Sequence, residues 1–381
     1  MRESPEIPAT YESSGARDEI LNYVLRSGAQ APSFYNCQPW LFRVTDEQAI
    51  DVILDKQADS SFYNWNDNLS TMACGAVIEN MRIALEGRGL AHTIETFPEG
   101  EDSSVLARIT LGQSTQMHEI GAIHSLESAI WRRHTNTLDF NSDPLTDAQK
   151  KRLFDSLESA SGIKLYLLEK ESEKHKAFLA ASCAEQVRFA RKDLHRHLHS
   201  LIRWTEVDAE TDKTGLTLPS MGACGIGETF FRITRTWPVM KVMNLFGAYK
   251  SQASRACMGL LHCSAVGLLS VKQGGKTGLL EAGRQMQRLW LTTTALGLDL
   301  QPHTSLTLFN WAWHSGGAGL YTPWEQRILR KAFQLYCEAF PEITDNASES
   351  GIFLFRVGQG PAVRGYTLRK DVSQLMLKAS V

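Results

Sequence analysis

Two spacings of apolar residues run through this chain, and together they predict where its helices and strands lie. Apolar residues at helical spacing between positions 20 and 25 predict an amphipathic helix, and Pro32 forbids its continuation. Two strands are predicted at 40–44 and 50–54, and the alternation in the second is typical of a strand with one buried face. Longer helices are predicted from about Met72 to Arg88 and from Leu279 to Leu296.

The two longer helices are similar to one another. They align without a gap, so that Gly75 falls on Gly283, and each ends at a Gly-Leu pair. Each is followed by a strand-like segment, Thr93–Thr96 in the first case and Ser305–Phe309 in the second. Because glycine is common at helix ends, the comparison depends more on these surroundings than on the glycines.

Each half of the chain also opens on a helix followed by a strand, and in the second half these are residues 148–157 and 163–168. The sequence therefore predicts two degenerate copies of one α+β unit. The first lobe is expected to span residues 1–115 and the second 116–381, with a lid or a helical insertion near 203–254.

The composition is that of an ordinary globular chain. It has 381 residues, a formal net charge of −2 and 43% hydrophobic residues, so it is long enough for a large core. This charge gives no argument for a nucleic-acid or membrane-surface partner, and no stretch reaches the roughly 20 apolar residues of a membrane span. Residues 1–15 are too polar for a secretory signal, and seven scattered cysteines predict reduced thiols. We therefore expect a cytoplasmic protein.

The most distinctive local pattern is the run at 31–40, Ala-Pro-Ser-Phe-Tyr-Asn-Cys-Gln-Pro-Trp. Pro32 and Pro39 exclude a helix here and predict an ordered, extended loop. Its hydroxyl, amide and aromatic side chains suit a planar, hydrogen-bonding ligand. The run resembles the Pro-Ser-x-x-Asn-x-Gln-Pro-Trp signature of nitroreductase-like flavoproteins, and the two-copy pattern looks closest to their two-lobed, Acg-like members. That resemblance implies the α+β nitroreductase fold, with a pseudo-dimer formed within one chain and FMN between its lobes.

Under this resemblance the loop provides one side of a flavin site. Pro32, Ser33, Phe34 and Asn36 are its candidate ligands. Ser33 and Asn36 would hydrogen-bond the flavin ring or its ribityl edge, and Phe34 or Tyr35 would pack near the ring.

A second candidate region is Arg132-Arg133-His134-Thr135-Asn136-Thr137, which follows a predicted helix. Basic residues at a helix C-terminus also suit the helix dipole, and this simpler interpretation stays open. Arg133 and Thr135 match the first two positions of the family's Arg-x-Ser-x-Arg/Lys motif, which implies phosphate binding. Thr137 stands where the family usually has a basic residue, and Arg132 is a neighbour that could compensate.

A third candidate follows the buried strand predicted at 352–358. The family often has an arginine there that reaches the flavin phosphate. Arg364 is the closest match and Arg369 the next, with an exposed charged tail as the alternative. Because the loop motif lies in the first half and the arginine motif in the second, we expect one FMN per chain and a vestigial second site.

Other patterns are given less weight. His195 and His199 share a helix face, but without a supporting carboxylate they are interpreted as solvated or core-edge histidines, and no metal is expected. The glycine-rich stretches 222–227 and 274–276 do not have nucleotide-binding spacing. No nucleophile and base occur in a recognisable arrangement, so no catalytic residue is assigned.

The resemblance implies an FMN-binding oxidoreductase that passes hydride from NAD(P)H through FMN to a small-molecule acceptor. Two alternatives remain: a non-enzymatic FMN storage protein, and a flavin-dependent oxidase or desaturase of a small metabolite. The expected assembly is a monomer with an internal pseudo-dimer, or a weak homodimer, without a nucleic-acid or membrane partner.

Overall fold

The computed structural model describes residues 14–45, 49–114, 120–223, 225–272, 275–343, 349–363 and 366–377. The elements of the first half are α1 (Ser14–Ala29), β1 (Trp40–Val44), β2 (Ala49–Leu54), α2 (Asn68–Gly87), β3 (Leu90–Thr96) and β4 (Val105–Ser114). The four strands form one antiparallel sheet in the order β1-β2-β4-β3. Helix α2 packs against this sheet and against α1.

Strand β2 differs from its sequence pattern because all six of its residues are buried. The polar residue Asp51 is buried with them. Its carboxylate is paired with Arg43 at 2.6 Å and with Arg108 at 2.7 Å, on the flanking strands. These two guanidinium groups replace the water that a carboxylate would otherwise need, so the expectation of one exposed face was wrong.

The second half of the chain contains more elements than the first. They are α3 (Ile120–Arg132), α4 (Asp147–Asp155), β5 (Ile163–Leu168), α5 (Glu171–Ala190), α6 (Lys192–Leu201), β6 (Ile202–Arg203), α7 (Glu206–Asp212), β7 (Leu216–Thr217), α8 (Ile226–Ile233), α9 (Trp237–Leu245), α10 (Ala248–Cys257), β8 (Ala265–Val271), α11 (Lys276–Ala295), β9 (Asp299–Pro302), α12 (Ser305–His314), α13 (Pro323–Ala339), β10 (Ser350–Gly358) and α14 (Val372–Leu375). The mixed α+β class expected from the sequence is confirmed.

The second sheet repeats the topology of the first. Its antiparallel order is β5-β8-β10-β9, which matches β1-β2-β4-β3 strand for strand. The match identifies β9 as the counterpart of β3, so the strand expected at Ser305–Phe309 was wrong: those residues begin helix α12. The shared order agrees with two copies of one unit, which stays a prediction.

The two lobes meet where α2 crosses α11, and the aligned glycines lie at this crossing. A Cβ on Gly75 would stand 2.1 Å from the carbonyl oxygen of Leu280, and one on Gly283 would stand 1.9 Å from that of Met72. Only glycine permits helix backbones to approach so closely. The alignment that places Gly75 on Gly283 also places Met72 on Leu280. Exchanging the two helices therefore turns one contact into the other, so the crossing is locally two-fold symmetric.

Polar contacts beside the crossing follow this symmetry but differ in chemistry. Arg288 Nη1 of α11 donates to Glu79 Oε1 of α2 at 2.8 Å. The equivalent contact on the other side is Gln287 Nε2 to Asn80 Oδ1 at 2.6 Å. One side therefore has an ion pair where the other has a pair of amides, which is the kind of divergence expected between degenerate copies.

Between β5 and β8 the chain leaves the sheet and forms the helices α5 to α10. The insertion expected at 203–254 is the second part of this excursion, and it contains α7, α8 and α9 with the short parallel pair β6–β7. Among the helices that the structure describes, none is long and apolar enough to cross a membrane.

Candidate functional site

The loop at 32–39 connects α1 to β1, and it is a tight turn rather than the extended segment expected. A short 3-10 turn covers Phe34–Asn36, and Tyr35, Asn36 and Gln38 have positive φ angles of 47°, 57° and 53°. Asparagine accepts this left-handed conformation readily, whereas a bulky tyrosine rarely does. The turn is closed by Ser33, whose Oγ accepts a hydrogen bond from the Gln38 amide at 2.9 Å.

Asn36 fastens two distant segments to the loop. Its Nδ2 donates to the carbonyl oxygens of Gly215 at 3.3 Å and Leu368 at 3.1 Å. Its Oδ1 accepts from Arg369 Nη1 at 2.7 Å. The arginine at the loop is thus Arg369, the second choice of the sequence interpretation.

Gln38 makes a parallel set of contacts and is fully buried. Its Nε2 donates to the Lys213 carbonyl at 2.7 Å, and its Oε1 accepts from the Lys370 amide at 2.9 Å. Sequence reasoning quoted this glutamine within the loop motif but gave it no role. Its partners lie too far away along the chain for any local pattern to identify them.

The aromatic residues of the loop pack against rings from both halves of the chain. The ring of Phe34 meets Tyr63 edge-on at 5.3 Å, and the ring of Tyr35 meets His197 at 6.0 Å. Burial raises the pKa of Tyr35, and Arg188 opposes this shift only in part. Burial also raises the pKa of the Cys37 thiol, so this cysteine is protonated near neutral pH and is not a nucleophile.

Arg133 extends from the end of α3 to the start of the loop. It is 2% exposed, and its Nη2 donates to the Gln30 carbonyl at 3.1 Å. Its guanidinium also lies over the ring of Trp290, 4.7 Å from the centroid. Arg132 and Thr135, on either side of it, are exposed.

The turn after Arg133 is fixed to the segment that follows β10. Asn136 Nδ2 donates to the Pro361 carbonyl at 2.9 Å, and the ring of His134 meets that of Tyr366 at 5.2 Å. Arg364 lies outside the described residues, but described residues on both sides of it contact this turn. The segment of the third candidate is thus adjacent to the second.

The insertion contacts both the loop and this turn, and we call the part that makes these contacts, residues 213–222, the cover. Its Gly215 carbonyl binds Asn36 of the loop. Gly222, which has a positive φ of 72°, lies against Thr137, because a Cβ there would stand 2.8 Å from the Thr137 hydroxyl oxygen. The sequence left a lid and a packed subdomain open for 203–254, and that choice stays open.

The side chains of this region fit part of what FMN requires. Two arginines from distant parts of the chain lie in this region, Arg133 bound to Gln30 just before the loop and Arg369 bound to Asn36 within it, and guanidinium groups match phosphate geometry. Asn36 and Gln38 are bound to carbonyl groups of the cover, so they support the enclosure rather than face a ligand. The donor set therefore suits a phosphate-bearing ligand held under the cover.

The histidine cluster on α6 is a separate feature. The rings of His195 and His199 are 4.3 Å apart, and His195 Nε2 lies 2.8 Å from the Thr234 carbonyl. Burial lowers the pKa of His199 to about 4. Within the described ranges, no group of three or more His, Cys, Asp or Glu side chains could hold a metal ion.

Comparison with curated proteins gives two kinds of relative, although no family model matches the chain. "Putative NAD(P)H nitroreductase acg" of Mycobacterium tuberculosis is 26% identical over 138 residues, which are 35% of this chain and 40% of that protein. An uncharacterized protein of the same organism is 23% identical over 290 residues, 75% of this chain and 39% of that protein. The chain thus spans about 40% of the length of the curated relatives it matches.

Two of the solved structures with a similar chain are named as nitroreductases. The FMN-dependent nitroreductase NfnB of Mycobacterium smegmatis, in complex with NADPH, is 12% identical, with a TM-score of 0.40 over 68% of this chain and 99% of that one. A "putative nitroreductase" of Anabaena variabilis is 10% identical, with a TM-score of 0.43 over 94% of this chain and 90% of that one. The resemblance inferred from the loop is confirmed by the curated match: this chain is similar to the nitroreductase-like proteins, with Acg among its relatives.

Proposed function

We propose that this protein is an FMN-binding oxidoreductase of the nitroreductase type, which takes hydride from NAD(P)H and passes it to a small acceptor. The observation that carries the proposal is the position of two arginines, Arg133 beside Gln30 just before the loop and Arg369 beside Asn36 within it. The similarity to a curated protein named as an NAD(P)H nitroreductase supports the same chemistry.

The chain's own residues would bind and orient the cofactor. Arg133 would hold the phosphate, with Arg132 and Thr135 available on the exposed part of the same turn. Arg364, in the segment next to this turn, is a further candidate for the same role. When bound, FMN supplies the hydride-accepting and hydride-donating chemistry, so the protein needs no acid or base of its own.

The loop would hold the ring end of the cofactor. Pro32 prevents α1 from continuing into the loop, and the Ser33 hydroxyl would hydrogen-bond the ring edge. Phe34 and Tyr35 would exclude water from that edge, since both rings pack against aromatic neighbours. Asn36 would act indirectly, by tying the loop to Arg369 and to the cover.

The first test measures flavin binding in a matched pair of variants. Arg133→Ala removes a charge-assisted contact of about 1.5–3 kcal/mol, so FMN should bind roughly 10- to 150-fold more weakly. Arg152→Ala, at an exposed position of α4 outside the proposed site, should leave binding unchanged. Fluorescence titration of apoprotein with FMN measures both, and circular dichroism checks that each variant is folded. Equal binding by wild type and Arg133→Ala would remove the proposed phosphate site.

FMN storage without turnover is the second candidate, and the cover favours it. The contacts of Gly215 with Asn36 and of Gly222 with Thr137 restrict access to the space between loop and turn. Anaerobic stopped-flow mixing of flavin-loaded protein with NADPH and with NADH separates the two candidates. Bleaching of the flavin band within seconds supports the oxidoreductase, whereas flavin that stays oxidised for many minutes with both donors supports storage.

A further inference from the structure

The outer faces of α8 and α9 in the insertion are unusually apolar. Ile226 is 80% exposed, Leu245 79% and Phe246 87%, and Ile233 and Val242 are also exposed. A surface helix of a globular protein normally turns charged and polar residues outward. Single exposed apolar residues are ordinary, but a group of five within residues 226–246 marks an interaction surface. We call this group the apolar face.

The apolar face is not the side by which these helices are attached to the protein. On their inner side Met240 is buried, Trp237 meets His195 at 5.4 Å and Phe231 meets His199 at 6.0 Å. Asn244 Nδ2 fixes the end of α9 by donating to the Phe189 carbonyl at 3.0 Å. Helix α9 therefore has apolar residues both on its inner side and on its exposed side. It has only nine residues, so it is far too short to span a bilayer.

The stretch of chain that carries the apolar face is also rich in basic residues. Between positions 225 and 257 the chain has one acidic residue and five basic ones, whereas the whole chain has 42 acidic and 40 basic residues. Arg232 pairs with Glu228 at 2.8 Å. Lys241, Lys250 and Arg255 are exposed, and among the described residues no carboxylate forms an ion pair with them. The total charge of the chain is near zero, and for that reason no membrane partner was expected. This total hides the local excess of basic residues between positions 225 and 257.

The geometry points to a docking surface for anionic lipid headgroups, with Leu245 and Phe246 inserted among the acyl chains. Protruding Leu, Ile and Phe side chains bordered by lysine and arginine are the pattern of helices that lie in a membrane interface. Lys241 lies at the edge of the exposed side of α9, where its long side chain reaches the headgroups.

A second copy of this chain is a less suitable partner for the apolar face than an anionic membrane. A two-fold interface would place each apolar face on its equal, and it would bring the basic borders of both copies together. Like charges at short distance oppose such an interface. An anionic bilayer supplies both the apolar layer and the opposite charge that this surface requires.

Vesicle flotation of the full chain tests the inference. We expect wild type to float with phosphatidylcholine–phosphatidylglycerol vesicles and to remain in solution with phosphatidylcholine alone, and binding should weaken as salt is added. Lys241→Gln/Lys250→Gln should lose about fivefold per residue, or roughly 30-fold together. Leu245→Ser/Phe246→Ser should lose more than about tenfold.

The matched control is Phe154→Ser, which removes an exposed phenylalanine of α4, outside the insertion. It should float like wild type, and flavin content should be unchanged in all the variants. Equal binding to neutral and anionic vesicles, or none to either, would overturn the inference. A different result would also overturn it. In that case wild type binds no vesicles but is a dimer by size-exclusion chromatography, and Leu245→Ser/Phe246→Ser makes it monomeric.

Discussion

Glu79 is a buried charge at the junction of the two lobes. It is fully buried in α2, and its carboxylate meets Arg82 at 2.9 Å, Arg288 at 2.8 Å and Arg284 at 3.3 Å. Burial alone would raise the pKa of Glu79, but the three guanidinium groups outweigh it, so the pKa lies below the ordinary value. Two of the arginines belong to α11, so this carboxylate ties one lobe to the other.

Glu79→Gln keeps the shape of the side chain and removes its charge. Neutralising one member of a buried ion pair typically costs about 3–5 kcal/mol, because the opposite charge is left without compensation. The three arginines have side-chain exposures of 15–22%, which lets water solvate them in part. We therefore expect the lower end of that range, a loss of about 3 kcal/mol.

Urea unfolding followed by circular dichroism measures this loss from the midpoint and slope. Glu281→Gln is the matched control, since Glu281 also contacts Arg284, at 2.8 Å, but is 23% exposed. It should cost about 0–1 kcal/mol, as exposed pairs do. A loss below about 1 kcal/mol for Glu79→Gln, or one equal to that of the control, would refute the reasoning.

The pH dependence supplies an independent check on the same residue. Because the folded-state pKa of Glu79 is lowered, its contribution is complete above the unfolded pKa and disappears as pH falls through the folded value. The stability difference between wild type and Glu79→Gln should therefore be largest near neutral pH and shrink in acid. A difference that stays constant across this range would show that charge is not the cause.

Two further predictions concern the helix crossing and the insertion. Gly283→Ala should lower stability by about 1–3 kcal/mol or more in urea unfolding, because its Cβ would strike the Met72 carbonyl, whereas Gly319→Ala meets nothing within 4 Å and should be nearly neutral. Burial lowers the pKa of His199 to about 4, aided by His195 and Arg235, so its contribution is complete above pH 6.5 and is lost between pH 6.5 and 4. The protection factors of the α8 and α9 amides, which are corrected for the slower intrinsic exchange in acid, should accordingly decrease in that interval, and protection factors that do not change would contradict the prediction.

Much of the sheet and helix framework is visible in the periodicity of the sequence. Strand β5 has the bounds expected from its pattern, and the aligned pair Gly75 and Gly283 lies at the helix crossing. These features are predictable because each depends on residues close together in the chain, or on a comparison between the two halves.

The strand expected at Ser305–Phe309 shows where periodicity is ambiguous. A run of five residues rich in leucine and phenylalanine fits a buried strand and a buried helix equally well, and here it begins α12. The true strand, β9, is the short run Asp299–Pro302 with two polar residues and a proline. It pairs only with β10, at the sheet edge, where a proline is tolerated and the apolar signal is weak.

The sequence predicted which residues form the loop of the candidate site, but it did not predict the backbone conformation of that loop. Loop chemistry identified Ser33 and Asn36, but the left-handed turn depends on acceptors at Lys213, Gly215 and Leu368. Contacts across such sequence distances leave no local signature. An arginine after β10 was expected to reach the flavin phosphate; Arg369 binds Asn36 of the loop, and its role toward a phosphate stays a prediction.

The strength of the cover decides how far it restricts turnover. Asn36 donates to the carbonyls of Lys213 and Gly215 at 3.4 and 3.3 Å, and Gln38 donates to that of Lys213 at 2.7 Å. At about 0.5–1.5 kcal/mol for each bond, releasing all three costs roughly 1.5–4.5 kcal/mol. The open form would then be populated between about one part in ten and one part in two thousand. Under the proposed function, a cover held this weakly would slow the entry of NAD(P)H without preventing it, so the contacts at Asn36 and Gln38 are compatible with turnover as well as with storage.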